Sequence, residues 1–149
     1  MEVADPRGPE AAELINELSA ELARRYDYME DGSGGFEPED ALGPGGAFVI
    51  GRAEGRPVAC GAIRPLEEGV AELKRIFVRA GFRGRGYSKA IVLELERQAR
   101  VRGYKTVRLE TGVRQPEAVS LYDSMRYLRI PNYGKDFSEL SVCFEKKLV

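Results

Sequence analysis

Apolar residues recur three or four positions apart in the first part of the chain, with charged residues between them. The apolar positions are Leu14, Ile15, Leu18 and Leu22. Because an α-helix repeats about every 3.6 residues, this spacing places them on one face of a helix. We therefore predict a first helix at residues 10–25, with its apolar face packed against a sheet.

A stretch rich in glycine, proline and acidic residues follows at about residues 27–46. This composition predicts a flexible loop with a short helix at residues 39–42. The loop is long enough to act as a lid over a site. Its acidic side chains, among them Asp31 and Glu37, either attract a cationic substrate or are simply solvated, and we favour the second interpretation.

Three apolar, β-prone runs come next, at residues 47–53, 57–64 and 70–78. The short turns between them contain glycine, which predicts an antiparallel meander. The third run breaks strict alternation, because Leu73 and Ile76 are both apolar and stand three positions apart. The break predicts either a β-bulge that frees backbone groups or an irregular strand at an edge of the sheet.

The second half of the chain alternates helices and strands. We predict a helix at residues 89–102, a strand at 106–111, a helix that opens at Gln115 and Pro116, and strands at 128–130 and 140–146. A strand, a helix and a second strand in succession imply a crossover between two parallel strands. The whole order predicts one α/β (α+β) domain that covers residues 1–149.

The bulk composition narrows the classes of function. A net charge of -1 over 149 residues argues against a nucleic-acid-binding domain. No apolar run approaches the roughly 20 residues of a membrane span, and the polar N-terminal residues lack the pattern of a signal peptide. Cys60 and Cys143 stand far apart in apolar contexts, so we expect free thiols in the cytoplasm. The chain has no histidine, which excludes histidine-dependent triads and most zinc sites, and we expect no metal.

The segment with the clearest chemistry is a glycine-rich turn between the third strand and the second helix. It reads Arg83-Gly84-Arg85-Gly86-Tyr87-Ser88. Backbone N–H groups of such a turn and of the helix start can hold a phosphate group, and arginine binds phosphate through paired hydrogen bonds. A Walker loop fails because Tyr87 stands where lysine is required, and a dinucleotide fingerprint fails because Lys89 replaces its third glycine.

This turn resembles the pyrophosphate loop of the GNAT superfamily of N-acetyltransferases, which has the pattern Gln/Arg-x-x-Gly-x-Gly/Ala before a helix. Arg83, Gly86 and Ser88 occupy the three defining positions, and Ser88 departs from the usual glycine or alanine. Residues 118–127 resemble the superfamily's second motif, Ala-x-x-Leu-Tyr-x-x-x-Gly-Phe/Tyr. Arg126 stands there in place of the glycine that ends the helix in the family. The resemblance covers essentially the whole chain.

The resemblance implies a single-domain GNAT fold, a mixed central sheet of about six to seven strands with helices on both faces and a short extra strand near residues 1–4. It implies acetyl-CoA as the co-substrate, with the pantetheine arm lying like an added strand between the strands of Ile76 and Leu109. The residues expected to contact the cofactor are Ile76, Phe77, Val78, Arg83, Gly84, Arg85, Gly86, Tyr87, Ser88 and Gln115.

The resemblance also assigns catalytic roles. Tyr122 is the expected general acid, which protonates the departing thiolate, and backbone N–H groups of the bulged strand are expected to polarise the carbonyl. Glu72 is the first candidate for the general base and Glu110 is its rival. Either carboxylate could instead be paired with Arg75 or Arg108, and a base is dispensable if the proton leaves through a chain of waters.

Two functions fit these features. The first is direct transfer of an acetyl group from acetyl-CoA to a primary amine of a small molecule, peptide or protein, in a ternary complex. The second is a catalytically idle acyl-CoA-binding regulatory module, which the departures at Ser88, Gln115 and Arg126 keep open. We expect neither nucleic acid nor a membrane as a partner, and the resemblance implies that the chain can form a homodimer.

Overall fold

The computed structural model describes residues 1–25, 36–113, 115–133 and 141–148. The elements follow in the order β1 (Glu2–Val3), α1 (Pro9–Arg25), β2 (Ala47–Ala53), β3 (Arg56–Glu67), β4 (Val70–Val78), α2 (Tyr87–Val101), β5 (Thr106–Gly112), α3 (Pro116–Ser124), β6 (Leu128–Ile130) and β7 (Ser141–Lys147). Short 3-10 helices occupy Pro38–Ala41 and Ala80–Phe82. The first of these corresponds to the short helix predicted at 39–42, whereas residues 26–35 of the predicted loop lie outside the described residues.

The strands form one mixed sheet in the order β1-β2-β3-β4-β5-β7-β6. Neighbouring strands are antiparallel except for β4 and β5, which run parallel on either side of α2 in the chain. The predicted meander, the strand–helix–strand unit and the short N-terminal strand are all confirmed.

Helices cover both faces of this sheet, as predicted. Leu14 of α1 is buried on one face in a cluster that includes Ala62 of β3. On the other face a Cβ at Gly61 would come within 2.7 Å of Ile91 and 2.8 Å of Leu95, both on α2. Since neighbouring residues of a strand point to opposite faces, Gly61 and Ala62 mark the two layers. The missing side chain at Gly61 lets α2 approach β3 closely, and α3 joins the same core as α2.

A β-bulge interrupts β4 at the position where the sequence breaks its alternation. Cys60 pairs with Phe77 and Ala62 pairs with Lys74, so two residues of β4 stand opposite one residue of β3. Arg75 takes a left-handed backbone conformation with φ of 57°. The Cys60 thiol donates a hydrogen bond to the Arg75 carbonyl at 3.3 Å. The bulge is therefore confirmed, and the alternative of an edge strand is wrong because β4 lies between β3 and β5.

Strands β4 and β5 are paired only at their starts. Val70, Ala71 and Glu72 pair with Thr106, Val107 and Arg108 respectively. From Leu73 onward no described residue of β4 is paired with β5, while β5 remains paired with β7 as far as Gly112. The two parallel strands therefore separate just before the bulge. The backbone N–H and C=O groups of β4 that face this opening are not paired with β5.

Two further sequence expectations concern the membrane and the thiols. Within the ranges that the structure describes, no helix is long and apolar enough to cross a membrane. Cys60 and Cys143 are both free and buried, as expected. Burial raises the pKa of the Cys60 thiol to about 12, so this thiol stays protonated and packs as a small apolar side chain.

Candidate active site

A cleft of about 880 Å³ occupies the opening between β4 and β5. It extends from the bulge to the glycine-rich turn, and it is bounded by the end of α1 on one side and by α3 on the other. The sequence-predicted site residues on its wall are Ile76, Phe77, Val78, Arg83, Gly84, Gly86, Tyr87, Ser88, Glu110, Gln115 and Tyr122. Arg85 and Glu72, also predicted, are not part of this wall.

The glycine-rich turn gives the cleft its anion-binding end. Gly84 and Gly86 have φ values of 77° and 86°, in the left-handed region that side-chain-bearing residues rarely adopt. Gly86 is the N-cap of α2, so the first N–H groups of that helix have no partner within the helix. Ser88 lies in this first turn and borders the cleft. Backbone donors and the helix dipole together favour a phosphate group at this end.

Arg83 is held between β4 and α1. Its Nη2 donates to Glu21 Oε1 at 2.6 Å, and its Nε donates to the Val78 carbonyl at 2.8 Å. Its guanidinium also lies 5.6 Å from the centre of the Phe77 ring. The side chain is thus fixed beside the turn, and a phosphate that binds there meets both Arg83 and the Glu21 carboxylate.

Arg85 points away from the cleft. Its guanidinium lies 5.3 Å from the centre of the Phe82 ring, and it lines a separate polar depression with Arg56, the first residue of β3. Of the two arginines in the glycine-rich turn, Arg83 therefore lies on the wall of the cleft, whereas Arg85 lies outside it.

Tyr122 lies on α3 and is only 5% exposed. Its ring packs against Tyr127 and Phe144, with centroid distances of 5.5 Å and 5.6 Å. Burial raises the pKa of the Tyr122 hydroxyl, so the hydroxyl is protonated throughout the neutral range. Its hydroxyl makes no hydrogen bond to any residue that the structure describes, whereas Tyr127 donates to Glu96 Oε2 at 2.8 Å. Tyr122 therefore differs from a core tyrosine with a satisfied hydroxyl.

Glu110 lies on β5 and is half-buried on the cleft wall. Burial raises the pKa of this carboxyl, Lys74 opposes the shift and the charge of Glu72 adds to it. The Cys143 thiol lies 3.8 Å from its Oε2. A carboxylate with a raised pKa at the mouth of a cleft has the properties of a general base.

Glu72 has different surroundings. Arg64, its cross-strand neighbour, donates from Nε to Glu72 Oε1 at 2.9 Å, and the Tyr133 hydroxyl donates to Oε2 at 2.7 Å. Glu72 is paired with an arginine, as the alternative predicted, but that arginine is Arg64, and Arg108 bonds Glu145 at 2.7 Å instead. The structure thus brings Tyr122 and Glu110 to the cleft and leaves Glu72 in a separate network.

Sequence reasoning missed three residues that shape this region. Glu21 could have been found, because Glu13, Glu17 and Glu21 repeat every four positions on α1 and face arginines that follow β4. Lys74 lies on β4 and is partly buried, and this partial burial lowers the pKa of its ammonium group. Tyr133 reaches Glu72 from a part of the chain 61 positions away, and no local pattern indicates such a contact.

No group of side chains with metal-ligating geometry occurs within the described ranges of the chain. The site is therefore described by its backbone donors, Arg83, the buried Tyr122 and the Glu110 carboxyl group. A bulged strand that faces an open parallel neighbour, with an anion-binding turn at its end, can hold an extended ligand that carries a phosphate group.

The chain belongs to the GNAT family of acetyltransferases, because residues 12–126 match the model of the "Acetyltransferase (GNAT) family". It is 33% identical over 140 residues to the "IAA acetyltransferase" of Azospirillum brasilense, an alignment that covers 91% of this chain and 89% of that protein. The predicted family, the acetyl-CoA-dependent N-acetyltransferase activity and the use of acetyl-CoA as co-substrate are thereby confirmed.

Solved structures support the fold. A Klebsiella pneumoniae protein described as an acyl-CoA N-acyltransferase is 30% identical, with a TM-score of 0.81 and coverage of 99% of this chain and 96% of that one. An aminoglycoside 6'-N-acetyltransferase in complex with coenzyme A is similar in fold, with 16% identity, a TM-score of 0.72 and coverage of 100% and 98%. The predicted mixed sheet with helices on both faces is the fold that these structures share.

Proposed function

We propose that this cleft transfers an acetyl group directly from acetyl-CoA to a primary amine of a small molecule, peptide or protein, in a ternary complex. Tyr122 is the proposed general acid and Glu110 the proposed general base. The observation that carries the proposal is that both side chains line the same cleft, in the opening between β4 and β5. The proposal concerns residue roles and acceptor class, which go beyond membership of the family.

The donor is proposed to enter along β4. Its pyrophosphate would bind the N–H groups at Gly84 to Ser88, with Arg83 beside them. The pantetheine arm would then take the place of a strand partner for Ile76, Phe77 and Val78, because no described residue pairs with β4 on its β5 side from Leu73 onward. Gln115, at the N-cap of α3, borders the same space.

The chemical step needs one proton removed and one delivered. The amine loses a proton to Glu110 as it attacks the thioester carbonyl, and the bond from carbon to sulfur breaks as the tetrahedral intermediate collapses. The leaving thiolate takes the proton of the Tyr122 hydroxyl, which is protonated at neutral pH because burial raises its pKa. Backbone N–H groups beside the bulge are proposed to stabilise the oxyanion.

Glu110 is preferred to Glu72 because of what each carboxylate contacts. Both oxygens of Glu72 accept hydrogen bonds, from Arg64 and Tyr133, and Glu72 is not part of the cleft wall. Glu110 lines the cleft, and its pKa is raised by burial. A raised pKa brings the strength of the base closer to that needed near neutral pH.

The setting of the reaction is also part of the proposal. Two free buried thiols fit a reducing cytoplasm, and the proposed homodimer is tested directly by light scattering on the purified chain. The acceptor remains defined by its chemistry, as a primary amine that reaches Glu110 from the side of the cleft away from the glycine-rich turn.

The experiment is an assay of thiol release from acetyl-CoA with a panel of primary amines, including amino acids, polyamines and peptide N-termini. A thermal-shift titration with acetyl-CoA is run in parallel. We expect stabilisation by acetyl-CoA and amine-dependent release of CoA with acetylated amine as product. Stabilisation without turnover across the panel would favour the idle binding module, and an acetylated enzyme without amine would contradict direct transfer.

A further inference from the structure

We propose that Glu72 is a positioning residue that shapes the acceptor side of the cleft through Tyr133, and that it is not the catalytic base. The proposal deepens the proposed function, since it rests on Glu110 as the base. It gives a specific task to the carboxylate that the sequence had favoured for catalysis.

The Glu72 side chain is the centre of a closed hydrogen-bond network. This side chain is 7% exposed, and two nitrogens of Arg64 lie 2.9 Å from its Oε1. The Tyr133 hydroxyl donates to its other oxygen at 2.7 Å. Burial and the neighbouring Glu72 charge raise the pKa of the Tyr133 hydroxyl, which keeps this donor protonated. A buried carboxylate satisfied in this way is held rigidly, because breaking either contact leaves a buried charge underpaired.

Arg64 extends the network to a second segment of the chain. Its Nη1 donates to Asp40 Oδ2 at 2.7 Å, in the 3-10 helix Pro38–Ala41. Its guanidinium lies 5.9 Å from the centre of the Phe36 ring, which is buried. Glu72 thereby orients an arginine that fixes the segment before β2 against the same face of the sheet.

Tyr133 extends the network to the proposed base. The residue before it, Asn132, accepts a hydrogen bond from the Cys143 thiol at Oδ1, with 3.5 Å between sulfur and oxygen. The same sulfur lies 3.8 Å from Glu110 Oε2. The hydrogen bond from Tyr133 to Glu72 thus holds Tyr133 in place. Asn132, the residue before it, contacts the Cys143 thiol, and this thiol lies beside Glu110.

The electrostatic surroundings and the burial of Glu110 depend on this hydrogen-bond network. Glu110 is faced by Lys74 and Glu72 from β4, by Ser141 and Cys143 from β7 and by the segment that carries Tyr133. Burial and the Glu72 charge both raise the pKa of Glu110, and Lys74 lowers it. Loss of the Glu72 charge, or entry of water after loss of the Tyr133 hydroxyl, therefore shifts the pKa of Glu110 downward.

The test compares Glu72→Gln, Tyr133→Phe and a matched control, Glu67→Gln, whose side chain is 58% exposed and pairs with Arg108 at the rim. The Glu110 carboxyl is titrated by ¹³C NMR, with its signal identified from Glu110→Gln. Tyr133→Phe keeps every charge, so it separates the positioning effect from electrostatics. We expect a lower pKa of Glu110 in both network variants and an unchanged pKa in the control.

Steady-state kinetics supply the second readout. We expect the acidic limb of the kcat/KM profile to move to lower pH in both network variants. KM for the amine should rise, and kcat on the plateau should stay within about tenfold of the wild type, less than the 10²–10⁴-fold loss of a general base. A larger loss in Glu72→Gln with disappearance of the acidic limb would overturn the proposal and make Glu72 the base.

An unmoved Glu110 pKa in both network variants would overturn the proposal as well. A failure of the proposed function can be told from a failure of the Glu72 proposal, because the NMR titration requires no turnover. A shift of the Glu110 pKa in a protein that acetylates no amine supports the network while it contradicts the transferase assignment of the site.

Discussion

The Arg83 guanidinium donates to the Glu21 carboxylate across 2.6 Å, so that the glycine-rich turn is tied to α1. Arg79 makes the same kind of contact one step earlier, donating to Glu13 and Glu17 at 2.7 Å. The turn that receives the pyrophosphate is therefore positioned by a helix from the other face of the sheet. The same helix, α1, also places the Glu21 carboxylate at the end of the cleft where the pyrophosphate is proposed to bind.

Removal of that carboxylate should strengthen donor binding. In Glu21→Gln the negative charge on the cleft wall is lost and Arg83 no longer has a competing anion. Because a partly exposed ion pair contributes about 0.2–1 kcal/mol, we expect acetyl-CoA to bind up to about fivefold more tightly. Isothermal titration calorimetry measures the change. Glu13→Gln, which affects Arg79 alone, is the control, and weaker binding in Glu21→Gln would contradict the assignment of this end of the cleft.

Removal of the arginine should have the opposite effect. Arg83→Gln loses a charge-assisted contact to phosphate, a type of hydrogen bond that contributes about 1.5–3 kcal/mol. We therefore expect roughly 10–100-fold weaker binding of acetyl-CoA, with a smaller dependence on salt than in the wild type. The matched control is Arg85→Gln, whose guanidinium lies over Phe82 outside the cleft. Equal losses in the two variants would show that the phosphate is bound differently.

The tyrosine on α3 should be required for turnover but not for donor binding. Tyr122→Phe removes only a hydroxyl that has no partner among the described residues, so we expect kcat to fall about 10²–10⁴-fold with little change in the affinity for acetyl-CoA. Tyr127→Phe is the control, since its hydroxyl bonds the buried Glu96. That variant should lose thermal stability and retain kcat. Unchanged turnover in Tyr122→Phe would remove Tyr122 as the acid.

Glu110, the proposed general base, should lower the free energy of unfolding at neutral pH. The folded-state pKa of Glu110 is raised above its ordinary value of 4.5, so the protonated form is favoured by folding. Its contribution is complete below the unfolded-state pKa and is lost as the pH rises through the folded-state pKa. Glu110→Gln does not titrate, and it should therefore melt higher than the wild type at pH 7, with the difference shrinking toward pH 4.

The same variant should lose activity. We expect Glu110→Gln to lower kcat about 10²–10⁴-fold and to abolish the acidic limb of the pH profile. Calorimetry across the pH range and thiol-release kinetics on one preparation measure both effects. A variant that is more stable yet inactive would mark a carboxyl kept for chemistry. A variant that is inactive because it is unfolded would be recognised from its melting curve, and retained activity would point to proton loss through water.

Replacing Arg126, the second residue after α3, by glycine should change the stability of the folded protein. Arg126 has φ of 69°, a left-handed conformation that costs a side-chain-bearing residue about 1–2 kcal/mol. Glycine removes this strain but adds about 0.5–1 kcal/mol of backbone entropy loss on folding. We expect Arg126→Gly to gain up to about 1 kcal/mol, or roughly 3 °C in melting temperature. Arg126→Ala keeps the strain and should show no gain, and equal effects in both variants would contradict this explanation.

Most of the fold could be predicted from local pattern. Strand β4 was predicted with its observed ends, and α1, α2 and β5 begin or end within two residues of the predicted limits. Each of these elements has a periodic apolar face, and the glycine-rich turn has a spacing that depends only on backbone conformation. The bulge could be predicted as well, because it displaces the apolar residue Ile76 by one position.

The candidate site could be predicted only in part. The glycine-rich turn and Tyr122 lie in motifs a few residues long, and the structure places both on one cleft. The choice between Glu72 and Glu110 could not be made from sequence. Both lie in neighbouring strands with the same alternation, and their difference comes from Tyr133 and Cys143, which approach from later parts of the chain.

Local patterns in the chain were enough to predict the elements, their order, the anion-binding turn and the family, since helical and strand periodicity and a glycine spacing are local properties of the chain. The partners of the charged side chains follow from the three-dimensional fold. Pairing among Arg64, Glu72 and Tyr133, the contact from Arg83 to Glu21 and the burial of Glu110 all join residues distant in sequence. The protonation chemistry of a carboxyl depends on such neighbours, because burial and nearby charge set its pKa.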